Sequence, residues 1–184
     1  METADISSYT DVDADAWYTD AIAADNDATW KARLMIETGR FPTAQAGTYW
    51  LRVVDKKFSR GKTYVIAENC MNGLQKPALA AMLRHELGGG TPAPYEPLFT
   101  SEWAFPIIAH GDESRTETVD IVGNLCCAAD VLTEDFTGPE LAVGDLIEVR
   151  NAGAYACTLT AQRFSSHQPP RELLVYGDGR VETE

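Results

Sequence analysis

The side chains best able to do chemistry in this 184-residue chain fall in a few glycine-containing turns. Gly123-Asn124-Leu125-Cys126-Cys127-Ala128-Ala129-Asp130 places two adjacent thiols and an acid between the apolar runs Val119-Asp120-Ile121-Val122 and Val131-Leu132. That pattern predicts strand, tight polar turn, strand. A thiol in such a turn serves as nucleophile or proton donor, with its reactivity set by nearby charge. Asn151-Ala152-Gly153-Ala154-Tyr155 follows the strand-like Gly144-Asp145-Leu146-Ile147-Glu148-Val149-Arg150 and presents a tyrosine. A thiol turn and a tyrosine turn on neighbouring strands would make a site. Upstream, the short apolar strand Leu34-Met35-Ile36 empties into Glu37-Thr38-Gly39-Arg40. There glycine lets a backbone N–H approach an anion, and arginine clamps a phosphate or carboxylate through two parallel bonds. A plain turn with a surface salt bridge reads equally well from these four residues.

The elements that must hold these turns are mostly short strands. Thr63–Ala67 is strand-like and runs into the polar turn Glu68-Asn69-Cys70-Met71-Asn72-Gly73, while Pro77–Leu83 suits one or two helical turns with Pro77 at the first helical position. Thr43–Asp55 reads as a helix or a helix-to-strand passage, Lys56–Lys62 as a basic exposed turn, and Asp112–Arg115 as a turn beside an exposed loop histidine, His110. Gly88–Pro97 is a glycine- and proline-rich loop. Leu173–Tyr176 precedes a Gly177-Asp178-Gly179 hairpin turn. Many short strands separated by turn signals predict a β-barrel or sandwich. Met1–Trp30 is acidic, without Lys or Arg, and carries one short helical pattern around Trp17, Ala21 and Ala24.

A formal net charge of −13 opposes binding to nucleic acid and to anionic membranes. No apolar run approaches the ~20 residues of a transmembrane helix, and the N-terminus bears acids where a signal peptide has basic residues. These features predict a cytoplasmic protein with reduced thiols. The four cysteines, Cys70, Cys126, Cys127 and Cys157, lack C-x-x-C spacing and a histidine placed to complete a zinc site, so no metal is expected. The plain reading of each is a small buried hydrophobe. Only Cys126 has neighbours that argue otherwise.

The turns, in order, resemble the C-terminal half of the type III pyridoxal-phosphate decarboxylases that act on ornithine, diaminopimelate and arginine. The family's Glu-Pro-Gly-Arg turn is matched by Glu37-Thr38-Gly39-Arg40, its Asp-Gly-Gly-Met-Asn by Glu68-Asn69-Cys70-Met71-Asn72, and its Arg-Pro-Ala-Leu by Lys76-Pro77-Ala78-Leu79. Its Gly-Pro-x-Cys-x-x-x-Asp is matched by Gly123–Asp130, and its Leu…Gly-Asp…Ala-Gly-Ala-Tyr by Leu141–Tyr155. The resemblance runs from about Arg33 to Val181. It implies a mainly β fold with minor α: a Greek-key-like β-barrel over residues 63–184, preceded at 31–62 by a remnant of the last strand and helix of an α/β barrel. Residues 1–30 form an acidic leader outside it.

On that resemblance the cofactor is pyridoxal 5′-phosphate. Glu37 would pair with the pyridine nitrogen, Gly39, Arg40 and Tyr155 would contact the phosphate, and Cys126 would give a proton to the reacting carbon in a partner subunit's site. Cys127 and Asp130 fall in the substrate region, with Cys127 where family enzymes carry an acid that reads the substrate's distal amino group. The tail Phe164–Val175 is similar to the branch found in siderophore and antibiotic pathways, whose substrates are often larger conjugates. The family's cofactor-bound lysine lies in a region this sequence does not contain. Of Lys31, Lys56, Lys57, Lys62 and Lys76, only Lys76 falls near the inferred site, at a position the family gives to arginine. Covalent attachment of the cofactor to this chain alone, and activity alone, are therefore not expected. The resemblance implies a homodimer, or a heterodimer with a full-length or split decarboxylase barrel, acting on a small amino-acid-type substrate. A non-catalytic dimerisation or regulatory module that pairs with a full-length relative is the alternative.

Overall fold

A computed structural model describes residues 42–79 and 105–183. The leader Met1–Trp30, the Glu37-Thr38-Gly39-Arg40 turn and the Gly88–Pro97 loop lie outside the described residues. Eight strands are present among those described: β1 Tyr49–Ser59, β2 Lys62–Ala67, β3 Ile107–His110, β4 Asp112–Gly123, β5 Val131–Glu140, β6 Leu146–Val149, β7 Leu173–Val175 and β8 Val181–Thr183. The first six form one sheet in the order β3-β6-β1-β2-β4-β5, and β7 and β8 form a separate hairpin. All pairings are antiparallel except β2 with β4. Edge strands β3 and β5 approach each other, so the sheet nearly closes into a barrel. Gly111, the single residue between β3 and β4, lies at that seam, where a Cβ would stand 2.3 Å from the Glu140 carbonyl oxygen.

Alternation puts Leu51 and Val53 of β1, Val65 and Ala67 of β2, and Ile147 and Val149 of β6 into one buried core with Ile121 and Leu141. The mainly β, barrel-like fold read from the sequence is what the chain adopts. β1 lies in the middle of this sheet, so the sheet takes in residues assigned above to the α/β-barrel remnant, because Leu51 and Val53 supply its core.

Several local expectations are corrected. Thr43–Asp55 holds only a 3-10 turn, Ala44–Ala46, before β1 begins. Lys56–Lys62 is not an exposed turn: β1 runs through Ser59, leaving Arg60-Gly61 as the turn, both with positive φ. Lys56 stays in the strand because its ammonium reaches Glu117 Oε2 at 2.8 Å and the Leu141 carbonyl at 2.7 Å. Asp112–Arg115 begins β4 instead of interrupting it. Its turn-like composition is answered locally, with Asp112 Oδ1 accepting the Ser114 N–H, while pairing to β5 is irregular up to Thr116. His110 ends β3, its Nε2 3.0 Å from Glu148 Oε2. Of the helical turns expected over Pro77–Leu83, residues 80–83 lie outside the described residues; among those described, helix covers 75–79, which makes Pro77 its third residue, still within the first turn where a missing N–H costs nothing. Beyond Tyr155 the chain makes 3-10 turns at Cys157–Leu159 and Phe164–Ser166.

Candidate functional site

Strand directions gather the singled-out turns. β2 and β4 run parallel, with Ala67 opposite Gly123, so the polar turn after β2 and the thiol turn after β4 leave adjacent strand ends. β6 shares their direction because β1 is antiparallel to both β2 and β6. The tyrosine turn therefore opens at the same end of the barrel. The two turns are not on neighbouring strands, since β1 and β2 separate β6 from β4. A twisted, nearly closed sheet brings together loops whose strands do not pair.

The thiol turn is built around Asp130. Its side chain is buried, with Oδ1 accepting the Met71 N–H at 2.7 Å and Oδ2 the Leu125 N–H at 2.9 Å, while its carbonyl accepts the Gly123 N–H at 2.8 Å. One carboxylate thus closes its own turn and ties it to the turn after β2. Gly123 cannot be larger, because a Cβ there would fall 1.9 Å from Asp130 Oδ2. Burial first, and then the Asp130 charge, pushes the nearby Cys70 thiol well above its ordinary range and leaves it inert. Cys126 is exposed, Cys127 half-buried, and Cys126 Sγ meets the Ser165 hydroxyl at 3.9 Å. Cys157 is half-buried, and burial together with its contact to Glu172 raises its thiol.

The turn after β2 is held from below by Tyr49, whose hydroxyl donates to the Asn69 carbonyl at 2.6 Å. Burial, followed by the charges of Cys70, Glu68 and Asp130, drives that phenol well above its usual range. Gly73 is required at this contact, since a Cβ would lie 1.6 Å from the Tyr49 hydroxyl. Asn72 is buried; its Nδ2 donates to Asn69 Oδ1 at 2.8 Å, and its own Oδ1 has no partner among the described residues. The tyrosine turn docks on the chain just before β1. Ala152 N–H donates to the Gly47 carbonyl and Gly153 N–H to the Ala44 carbonyl, each at 2.9 Å. Gly47 and Gly153 let the backbones touch: a Cβ on Gly153 would lie 1.9 Å from the Thr43 carbonyl oxygen. Beyond this anchor Tyr155 is half-exposed with φ of 57°, a left-handed conformation rare for an aromatic residue. The buried Lys76 places its ammonium 4.6 Å from the centroid of the Tyr155 ring.

Sequence reading did not find Lys76 against Tyr155, Tyr49 under Asn69, or Ser165 beside Cys126. Only Lys76 carried a signal, as the one lysine in a site motif. Among the described residues no group of three His, Cys, Asp or Glu could hold a metal ion, and no helix is long and apolar enough to cross a membrane.

The family model described as the pyridoxal-dependent decarboxylase, C-terminal sheet domain, matches residues 9–153. The chain belongs to this family. Curated relatives include the L-glutamyl-[BtrI acyl-carrier protein] decarboxylase of Niallia circulans, 31% identical over 140 residues, which make up 76% of this chain and 30% of that protein. The diaminopimelate decarboxylase of Neisseria meningitidis serogroup B is 30% identical over 150 residues, 82% of this chain and 31% of the relative. Among solved structures, diaminopimelate decarboxylase from M. jannaschii in complex with L-lysine matches with a TM-score of 0.66 at 22% identity, covering 90% of this chain and 33% of that one. The chain thus spans about a third of the length of these relatives. Its barrel is the family's sheet domain, and the family implies pyridoxal phosphate.

For an anionic cofactor the described residues are suitable. Tyr155 is half-exposed beside a cation, and the one buried carboxylate at this end, Asp130, has both oxygens engaged by backbone amides.

Proposed function

We propose that this chain forms the C-terminal half-site of a pyridoxal-phosphate-dependent amino-acid decarboxylase, completed by an α/β barrel from a homodimeric or heterodimeric partner. The observation that carries the reading is the gathering of the Asp130-clamped thiol turn and the Tyr155 turn at one end of a family sheet domain. When bound, the cofactor withdraws electrons from the carbon that loses carbon dioxide. Tyr155, with Glu37, Gly39 and Arg40 by their motif positions, holds it. Cys126, exposed at the rim, delivers the proton that replaces the carboxylate. Asp130 shapes the turn that aims this thiol. Cys127 stands where the family carries an acid, so the substrate need not present a distal ammonium. A larger amino-acid conjugate fits the loss of that acid, consistent with the likeness to a decarboxylase named for a carrier-bound glutamyl group.

The test is to combine the chain with a family decarboxylase whose own equivalent thiol has been removed. Restored turnover and co-purification are expected. Co-purification without restored turnover would instead favour a non-catalytic dimerisation module. On its own with pyridoxal phosphate, the chain is expected to give no visible absorbance of a lysine-bound cofactor. A band lost on Lys76→Ala would overturn that part of the reading.

A further inference from the structure

The segment after Tyr155 has a geometry that the site as described does not explain. It leaves the tyrosine turn, makes the Cys157–Leu159 turn, and is pinned midway by Thr160, whose hydroxyl donates to the Ala156 carbonyl at 2.6 Å and accepts the Gln75 N–H at 3.1 Å. It then reaches the thiol turn, where Ser165 Oγ stands 3.9 Å from Cys126 Sγ. At that point two consecutive residues with side chains adopt the left-handed conformation, Ser165 at φ 53° and Ser166 at φ 62°. Left-handed backbone is the usual province of glycine or asparagine, and two such residues in succession are held only where surrounding structure over-determines them. Here the Ser166 N–H donates to Arg163 at 3.1 Å and the His167 N–H to Phe164 at 3.2 Å. Glycine at 165 would relieve the backbone but lose the hydroxyl. A serine there keeps a polar group against the one exposed thiol among the described residues.

An exposed thiol without a fixed neighbour is free to change rotamer. A hydroxyl is suited to holding it in either protonation state, because it accepts a hydrogen bond from S–H and donates one to S⁻. The same contact therefore persists before and after a proton leaves sulfur. We propose that Ser165 is a positioning residue for Cys126, its hydroxyl setting the direction in which Sγ presents its proton. This inference rests on the reading of Cys126 as proton donor.

The test uses the full chain without cofactor, following alkylation by iodoacetamide at pH 7 with each thiol resolved by peptide mass spectrometry. Ser165→Gly keeps the left-handed backbone accessible and removes the hydroxyl, so Cys126 should react roughly threefold more slowly, as expected from losing one hydrogen bond to a thiolate. Cys127 and Cys157 should keep their rates. Ser165→Asn, which tolerates the same backbone and restores a donor, should recover the Cys126 rate. A wild-type Cys126 rate in Ser165→Gly, or equal slowing at all the reactive thiols, would overturn the proposal. The outcome is independent of whether Cys126→Ala slows decarboxylation in the completed enzyme, so failure of the proton-donor reading remains distinguishable.

Discussion

The two ends of the barrel use their polar side chains differently. Where β2, β4 and β6 finish, Asp130, Tyr49 and Thr160 bond to backbone amides and carbonyls of loops, fixing loop shape and leaving Cys126 and Tyr155 at the rim. At the opposite end, charges pair mainly with other charges. Lys56 bridges Glu117 and Leu141, Arg115 meets Glu140 at 2.7 Å, and His110 meets Glu148. Arg150 first, and then His110, hold the Glu148 carboxyl below its ordinary range despite burial. An open cleft of about 430 Å³ lies there, lined by His110, Arg115, Glu140 and Asp145, yet those side chains already serve one another or the local backbone. Cavity size alone points to the end opposite the proposed site. A site needs groups whose loops are fixed while their reactive atoms remain uncommitted.

The sharpest way to break this contrast is at Asp130. Asp130→Ala leaves the Met71 and Leu125 amides without an acceptor and should cost about 3 kcal/mol, read from the urea midpoint, with Cys126 reactivity altered as well. Asp130→Asn, which retains one acceptor, should cost less. A smaller effect is expected at the other end. Glu117→Ala removes the acceptor for Lys56 and for the Leu141 N–H, costing about 1–2 kcal/mol while leaving Cys126 alkylation unchanged. A change in thiol reactivity there would mean the two ends are coupled.

The smallest predicted effect is a pH dependence. Burial alone would raise Asp120, but the Asp135 N–H at 2.9 Å and the Lys62 ammonium outweigh it and hold the carboxyl below its ordinary value. A carboxyl depressed on folding contributes stability that is fully present above its unfolded pKa of about 4 and is lost as pH falls through the lower folded value. Asp120→Asn should therefore lose stability less steeply than wild type as pH falls below about 4, when urea midpoints are compared. Parallel acid limbs would contradict the assignment.

Much of this was legible because the barrel obeys local rules. β2, the Gly123–Asp130 turn and the Gly177-Asp178-Gly179 hairpin follow from alternation and turn chemistry, and the family resemblance follows from five short motifs in order. Where reading failed, a distant partner decided. Lys56 looks like a turn lysine until Glu117 and Leu141 claim its ammonium, and His110, exposed as expected, looks like a loop residue until β3 pairing, Glu148 and the Trp50 ring, 5.1 Å away, fix its place. The thiol and tyrosine turns were expected on adjacent strands because chain order says nothing of strand order. Ser165 was invisible for a related reason, since its importance lies in a left-handed backbone that serine does not announce.

The central claim is that Cys126, and not its neighbour, completes a partner's site by donating a proton. Its most direct test is turnover of the complex with a thiol-deficient family barrel, comparing Cys126→Ala with Cys127→Ala. The account predicts about 100-fold or greater loss of product formation for Cys126→Ala, the scale of a missing general acid, and little change for Cys127→Ala. Equal losses at the two thiols, or none at Cys126, would contradict it.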